Sequence, residues 1–112
     1  MKEKVVLLLS DQMGTGSKEL GVTILETFFT MLKKSEEKPA AIFCMNQGVF
    51  TMTDASFVSV HLKELSEQGV SVLACKTCVE YYNIAEKLTV GKLSGMDTFV
   101  SLAQQYEVIT IS

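Results

Sequence analysis

Short apolar runs alternate along this chain with segments whose apolar residues recur every three or four positions. Val5-Val6-Leu7-Leu8-Leu9 is continuous and of strand length, the pattern of a strand covered on both faces. After a polar turn, Ser17 can cap a helix that carries Glu19 in its first turn. Leu20, Ile24, Phe28 and Leu32 form its stripe, widened by Leu25, Phe29 and Met31, and it ends near Lys33-Lys34. The polar segment Ser35 to Pro39 leads to a second strand, Ala40 to Cys44, stopped by Asn46-Gln47-Gly48. Ser56 can cap a second helix bearing Val58, Leu62 and Leu65, closed by Gly69 at a C′-type position. Val70 to Ala74 predicts a third strand and Cys78 to about Lys87 a third helix. Leu88 to Leu93 is read as a short fourth strand. Ser94 or Gly95 opens a last helix with Met96, Phe99, Val100, Ala103 and Tyr106, and Glu107 to Ile111 is a β-branched fifth strand. Alternating strands and helices imply right-handed βαβ crossovers. The expected fold is a three-layer α/β/α domain over residues 1–112, with a five-stranded, mainly parallel sheet.

That architecture directs attention to the carboxyl ends of the strands, where open α/β sheets bind their ligands. Four polar turns fall there: Ser10 to Gly14, Met45 to Gly48, Cys75 to Cys78, and Ser94 to Met96. The third carries chemistry. Cys75-Lys76-Thr77-Cys78 is a C-x-x-C between a strand and a helix start, and Thr77 with Glu80 reads as a capping box. With Thr77 as N-cap, Cys78 is the first helical residue, and both thiols lie where unpaired N–H groups favour thiolate, the form that attacks sulfur or binds metal. Lys76 adds to this effect and Glu80 opposes it.

Composition narrows the context. Hydrophobic residues make up 47% of the 112 positions and charged residues 21%, which fits a globular domain. The net charge of −3 and the absence of a Lys/Arg block argue against a nucleic-acid surface. Five apolar residues after Met1-Lys2-Glu3-Lys4 are too few for an export signal or a membrane span. The expectation is a cytoplasmic protein whose three cysteines are reduced, where a C-x-x-C is reactive or metal-binding more often than a structural disulfide.

Other readings of the same residues are weaker. A C-x-x-C supplies two zinc ligands, and Cys44 and His61 lack the paired spacing of the remainder, so no metal is expected. His61 reads as a surface or boundary residue and Cys44 as core. Gly14-x-Gly16 follows a strand but matches neither dinucleotide nor P-loop spacing, and Asp11 at its start repels phosphate. It reads as a tight turn, with Asp11 able to accept from Met13 or Gly14 as an Asx-turn. Of Tyr81 and Tyr82, one can line a pocket while the other packs inside. Val49-Phe50-Thr51-Met52 is expected in an exposed loop, a possible contact between subunits.

Several segments together resemble the DsrE/DsrF-like family, most closely the DsrE-like domain of YedF-type proteins, which are sulfurtransferase-like and linked to selenium metabolism. They are Ser10-Asp11-Gln12-Met13-Gly14-Thr15-Gly16 with Glu19-Leu20-Gly21, then Asn46-Gln47-Gly48-Val49, and Gly69-Val70 running into Cys75-Lys76-Thr77-Cys78, Tyr81-Tyr82, Lys87-Leu88 and Val90-Gly91. The family's cysteine turn usually has Gly where Lys76 stands, a residue that tolerates unusual backbone angles. The resemblance implies a sulfur-relay protein carrying persulfide sulfur, or its selenium equivalent, on Cys75, with Cys78 an additional thiol that stabilises or resolves it. Lys76, Thr77, Asp11 and Asn46 are supporting candidates, and no cofactor is implied. It also implies a homo-oligomer, a dimer or trimer, and a separate sulfur donor or TusA-like carrier, because no such carrier domain is present in the sequence. Two readings from other classes stay open: a C-x-x-C thiol–disulfide redox protein, and a non-catalytic oligomeric binding module.

Overall fold

A computed structural model describes residues 1–112. Five strands form one sheet in the order β4-β3-β2-β1-β5: β1 Lys4–Leu8, β2 Ala41–Cys44, β3 Ser71–Cys75, β4 Lys92–Ser94 and β5 Glu107–Ile111. Every pairing is parallel. The helices are α1 Lys18–Lys34, α2 Val58–Glu67, α3 Lys76–Tyr82 and α4 Met96–Gln105. From β1 to β4 the chain steps one way across the sheet, then β5 returns to the far side of β1. Right-handed crossovers therefore put α1, α2 and α3 on one face and α4 on the other.

Alternation along the strands sorts the core. Val6, Leu8, Ile42, Cys44, Val72 and Ala74 join Leu25, Phe29 and Leu32 of α1, Val58, Leu62 and Leu65 of α2, and Val79 of α3 in one buried cluster. Phe43, between Ile42 and Cys44, points the other way and meets Phe99 of α4 edge-on, with ring centroids 5.3 Å apart. No residue of α4 is fully buried.

The structure moves several expected boundaries. Ser17 caps α1, its hydroxyl accepting from Leu20 N–H, but the inward row is Gly21, Leu25, Phe29 and Leu32. Leu20 and Met31 are exposed. Gly21 decides this rotation: a Cβ there would stand 2.8 Å from Gln12 Cβ, so the helix lies close against the first turn with its glycine inward. Ser56 accepts from Val58 N–H, although the residue immediately before α2 is Phe57. Gly69 has φ +99 after the last turn of α2, the left-handed stop its position predicts. The third helix is shorter than expected. Asn83, at φ 56, ends it, and a short 3₁₀ turn follows at Ala85–Lys87. The fourth strand begins only at Lys92; Leu88 instead makes an isolated antiparallel bridge with Thr53.

Val49 to Met52 do not form the exposed loop that the sequence predicts. These residues belong to a 3₁₀ segment, Asn46–Met52, with Val49, Thr51 and Met52 buried. Their apolar side chains complete the core above the ends of β1 and β2, and the Thr51 hydroxyl donates to Gly48 O at 2.7 Å. They are not an exposed subunit contact. Gly48 permits this packing, since a Cβ there would lie 2.1 Å from the Leu8 carbonyl oxygen.

Candidate functional site

Because all five strands run parallel, the ends of β1, β2, β3 and β4 open onto one rim. The 3₁₀ segment after β2 and the start of α3 after β3 meet on it. Cys75 closes β3 and is the residue before the first turn of α3, so Lys76, Thr77 and Cys78 are its first three helical residues. The capping box is absent: α3 has no side-chain cap. The helix starts two residues earlier than expected because Cys75 turns straight out of the buried strand, which leaves Thr77 inside the first turn.

The two thiols differ. Cys75 is 6% exposed, while Cys78 is half-buried and opens on a cleft of about 400 Å³ lined by Asn46, Thr77, Cys78, Tyr81 and Tyr82. Both are free thiols, as is the buried Cys44. Cys78 Sγ accepts the backbone N–H of Asn46 at 3.1 Å, and the Tyr82 hydroxyl donates to Asn46 Oδ1 at 2.9 Å. Tyr82 is held by its neighbours, its ring 4.7 Å from Phe50 and 5.2 Å from Tyr81. Tyr81 is 82% exposed, so Tyr82 is the packed member of the pair and Tyr81 the open one.

Electrostatics refine the expectation of a depressed thiol pKa. Burial pushes the Cys78 thiol up; the Asn46 N–H pulls it down, and the adjacent Cys75 thiol pushes it up again. The net direction is upward, so the Asn46 N–H offsets burial without overcoming it. Cys44 is pushed much further, to about 12, by complete burial that a contact with the Thr51 hydroxyl only partly offsets. It is core, with no route to chemistry.

The other candidates sit variously around this centre. Lys76 is exposed on α3 beside the thiols, and Thr77 lines the cleft. Asp11 does not join them. It pairs with Lys18 at 3.2 Å in a separate cleft of about 260 Å³ that includes Phe50 and Phe57. Ser10, not Asp11, supplies the local turn bond, its hydroxyl accepting Gln12 N–H. Met13 and Gly14 donate instead to the carbonyls of Gly21 and Ser112. His61 lies on α2 with Nδ1 buried and unpartnered. The two roomiest clefts, of about 540 and 500 Å³, contain no cysteine. One surrounds Met1 to Lys4 at the opposite pole, and the other borders Val70 to Leu73 and Lys92.

The Tyr82–Asn46–Cys78 connection was not legible in the chain. Its one signal is Asn46 immediately beyond a strand end, since Asn visits left-handed backbone more readily than most residues; here φ is 51.

A family model described as the DsrE/DsrF-like family matches residues 3–111. The chain belongs to that family. No curated protein matches it. Among solved structures, the ychN protein of E. coli is 16% identical with a TM-score of 0.70, covering 99% of this chain and 100% of that one. A protein of unknown function from Methanobacterium thermoautotrophicum, MTH1491, is 19% identical with a TM-score of 0.67, covering 96% and 97%. BT1422 from Bacteroides thetaiotaomicron, also of unknown function, is 18% identical with a TM-score of 0.67, covering 97% and 95%. At these identities the likeness is one of fold. The family is associated with sulfur relay, and no helix of this chain is long and apolar enough to cross a membrane.

Proposed function

We propose that this DsrE-like protein is a cytoplasmic sulfur-relay protein in which Cys78 receives a sulfane sulfur, with Cys75 as the neighbouring thiol. The observation that carries the assignment is the cleft: Cys78 lines it and accepts an N–H bond there, whereas Cys75 lies behind, 6% exposed. The resemblance gave the carrier role to Cys75; exposure favours Cys78 for the first attack.

In the forward step the Cys78 thiolate attacks the outer sulfur of a donor persulfide. The donor's S–S bond breaks, the donor leaves as a thiolate that takes up a proton, and Cys78 becomes a persulfide. No oxidant is required. An acceptor thiolate then attacks the terminal sulfur, and Cys78 departs as thiolate. If Cys75 attacks Cys78 Sγ first, hydrosulfide leaves and a Cys75–Cys78 disulfide forms, which an external dithiol must reduce. The Asn46 N–H serves whichever form carries negative charge on Cys78.

A separate protein supplies the sulfur, a desulfurase-type donor or a TusA-like carrier, and a homo-oligomer of two or three subunits presents the site. A YedF-type role with selenium in place of sulfur follows the same steps. The test is intact mass after incubation with a cysteine-desulfurase-type donor. A relay protein gains one sulfur atom, lost again on treatment with a thiol reductant. The adjacency of the two thiols favours a second reading, a thiol–disulfide redox protein. That reading predicts loss of two hydrogens under a disulfide oxidant and no sulfur gain from the donor.

A further inference from the structure

We propose that Tyr82 is a positioning residue for Cys78, acting through Asn46: its hydroxyl holds the Asn46 side chain so that the Asn46 backbone N–H stays aimed at the sulfur. The inference rests on the reading of Cys78 as the reacting thiol.

Three observations meet in it. Asn46 has φ 51, a left-handed conformation that L residues adopt sparingly. In that conformation its N–H reaches Cys78 Sγ, 32 positions away in the chain, at 3.1 Å. Its side chain, exposed at the rim, takes its one hydrogen bond within the chain from Tyr82 at 2.9 Å. The Met45 carbonyl, in the same peptide as the Asn46 N–H, accepts Gly48 N–H at 2.9 Å and anchors one edge of it; the exposed Asn46 side chain beyond has Tyr82 as its tether, and Tyr82 is fixed in turn by its contact with Phe50. Phe50 belongs to the same 3₁₀ segment as Asn46, so donor, tether and support form one closed loop around the sulfur. The loop's function is local: it keeps a hydrogen-bond donor on an atom that burial otherwise makes harder to ionise.

The test is the pH profile of Cys78 alkylation by iodoacetamide, read on the Cys78 peptide by mass spectrometry. Tyr82→Phe keeps the ring on Phe50 and removes only the hydroxyl. Its midpoint should rise by about half a pH unit, which slows labelling roughly threefold below the midpoint. Asn46→Gly keeps the backbone N–H and tolerates positive φ while removing the acceptor, and should give the same shift. The double variant should shift no further than either single one, because both remove one connection. A Tyr82→Phe profile that superimposes on the wild type overturns the proposal, as does a double variant whose shift is the sum of the two. Thermal melts of each variant separate this from unfolding, and Asn46→Gly alone decides the matter if Tyr82→Phe does not fold. Sulfur loading is measured on the same samples. Loading that slows in step with the alkylation rate supports both this role and the relay. A shifted profile in a protein that never loads sulfur supports the positioning role and overturns the relay.

Discussion

Replacing Gly48 with Ala tests how tightly the 3₁₀ segment and the thiol site are tied to the sheet. The added Cβ would stand 2.1 Å from the Leu8 carbonyl oxygen and 2.8 Å from its carbon. Ordinary contact begins at 3.4 Å, so the segment must retreat from β1 by about 1 Å in a close-packed interior. The opposing atoms are backbone in a strand paired on both sides, so the segment yields and the sheet does not. The same Leu8 carbonyl accepts Met45 N–H at 2.9 Å, a bond that retreat breaks. Overpacking costs about 1–3 kcal/mol and the lost bond about 1 kcal/mol. Gly48→Ala should therefore destabilise by roughly 2–4 kcal/mol, read from the urea midpoint at unchanged slope. Gly16→Ala is the control. No atom lies within 4 Å of its added Cβ and its φ is not left-handed, so its change should stay within about 0.5 kcal/mol. Because Asn46 and Met45 precede Gly48 in one continuous stretch, Gly48→Ala should also slow Cys78 alkylation. A Gly48→Ala midpoint no lower than that of Gly16→Ala would refute the packing argument.

Three further outcomes follow from the same geometry. Iodoacetamide at moderately alkaline pH should label Cys78 well before Cys44, whose thiol is buried completely and pushed up to about 12; equal rates at native stability would contradict the assigned burial. Cys44 should also shape alkaline stability. Its folded pKa is raised, so its contribution is full below the unfolded value near 9 and is lost as pH rises toward 12. Stability should then fall by up to about 1.4 kcal/mol per pH unit in that window, and Cys44→Ala should flatten the slope measured by denaturation at stepped pH. Phe29→Ala, in the fully buried core, should cost about 3–5 kcal/mol by the same denaturation assay, and a loss under 1 kcal/mol would place Phe29 outside the core.

The order of elements and the parallel sheet were legible because buried strands and amphipathic helices leave different periods in the chain. What the periods left open was rotation and boundary. Leu20 and Ile24 look as apolar as Leu25 and Phe29, and only the approach of Gly21 to Gln12 turns α1 so that the latter face inward. Thr77 and Glu80 match a capping box in spacing, yet the N-cap is Cys75, because strand β3 runs on to Cys75 and the chain turns there. Val49 to Met52 looked like an exposed loop since a 3₁₀ turn has no long repeat to detect. Gly48 was visible as a turn residue, but its contact with Leu8, 40 positions earlier, is a tertiary fact. The cysteine rim was legible from topology. The difference in exposure between its two thiols was not, since burial of Cys75 depends on what covers the strand end.

The proposal for this protein is that Cys78 takes the sulfur. It is tested most directly by locating that sulfur: load the protein with a desulfurase-type donor, block all thiols and persulfides with an alkylating agent, digest, and sequence the Cys75–Cys78 peptide by tandem mass spectrometry. The account predicts one extra sulfur on Cys78 in the wild type and in Cys75→Ser, and none in Cys78→Ser. Sulfur found on Cys75 in the wild type, and kept in Cys78→Ser, would contradict it.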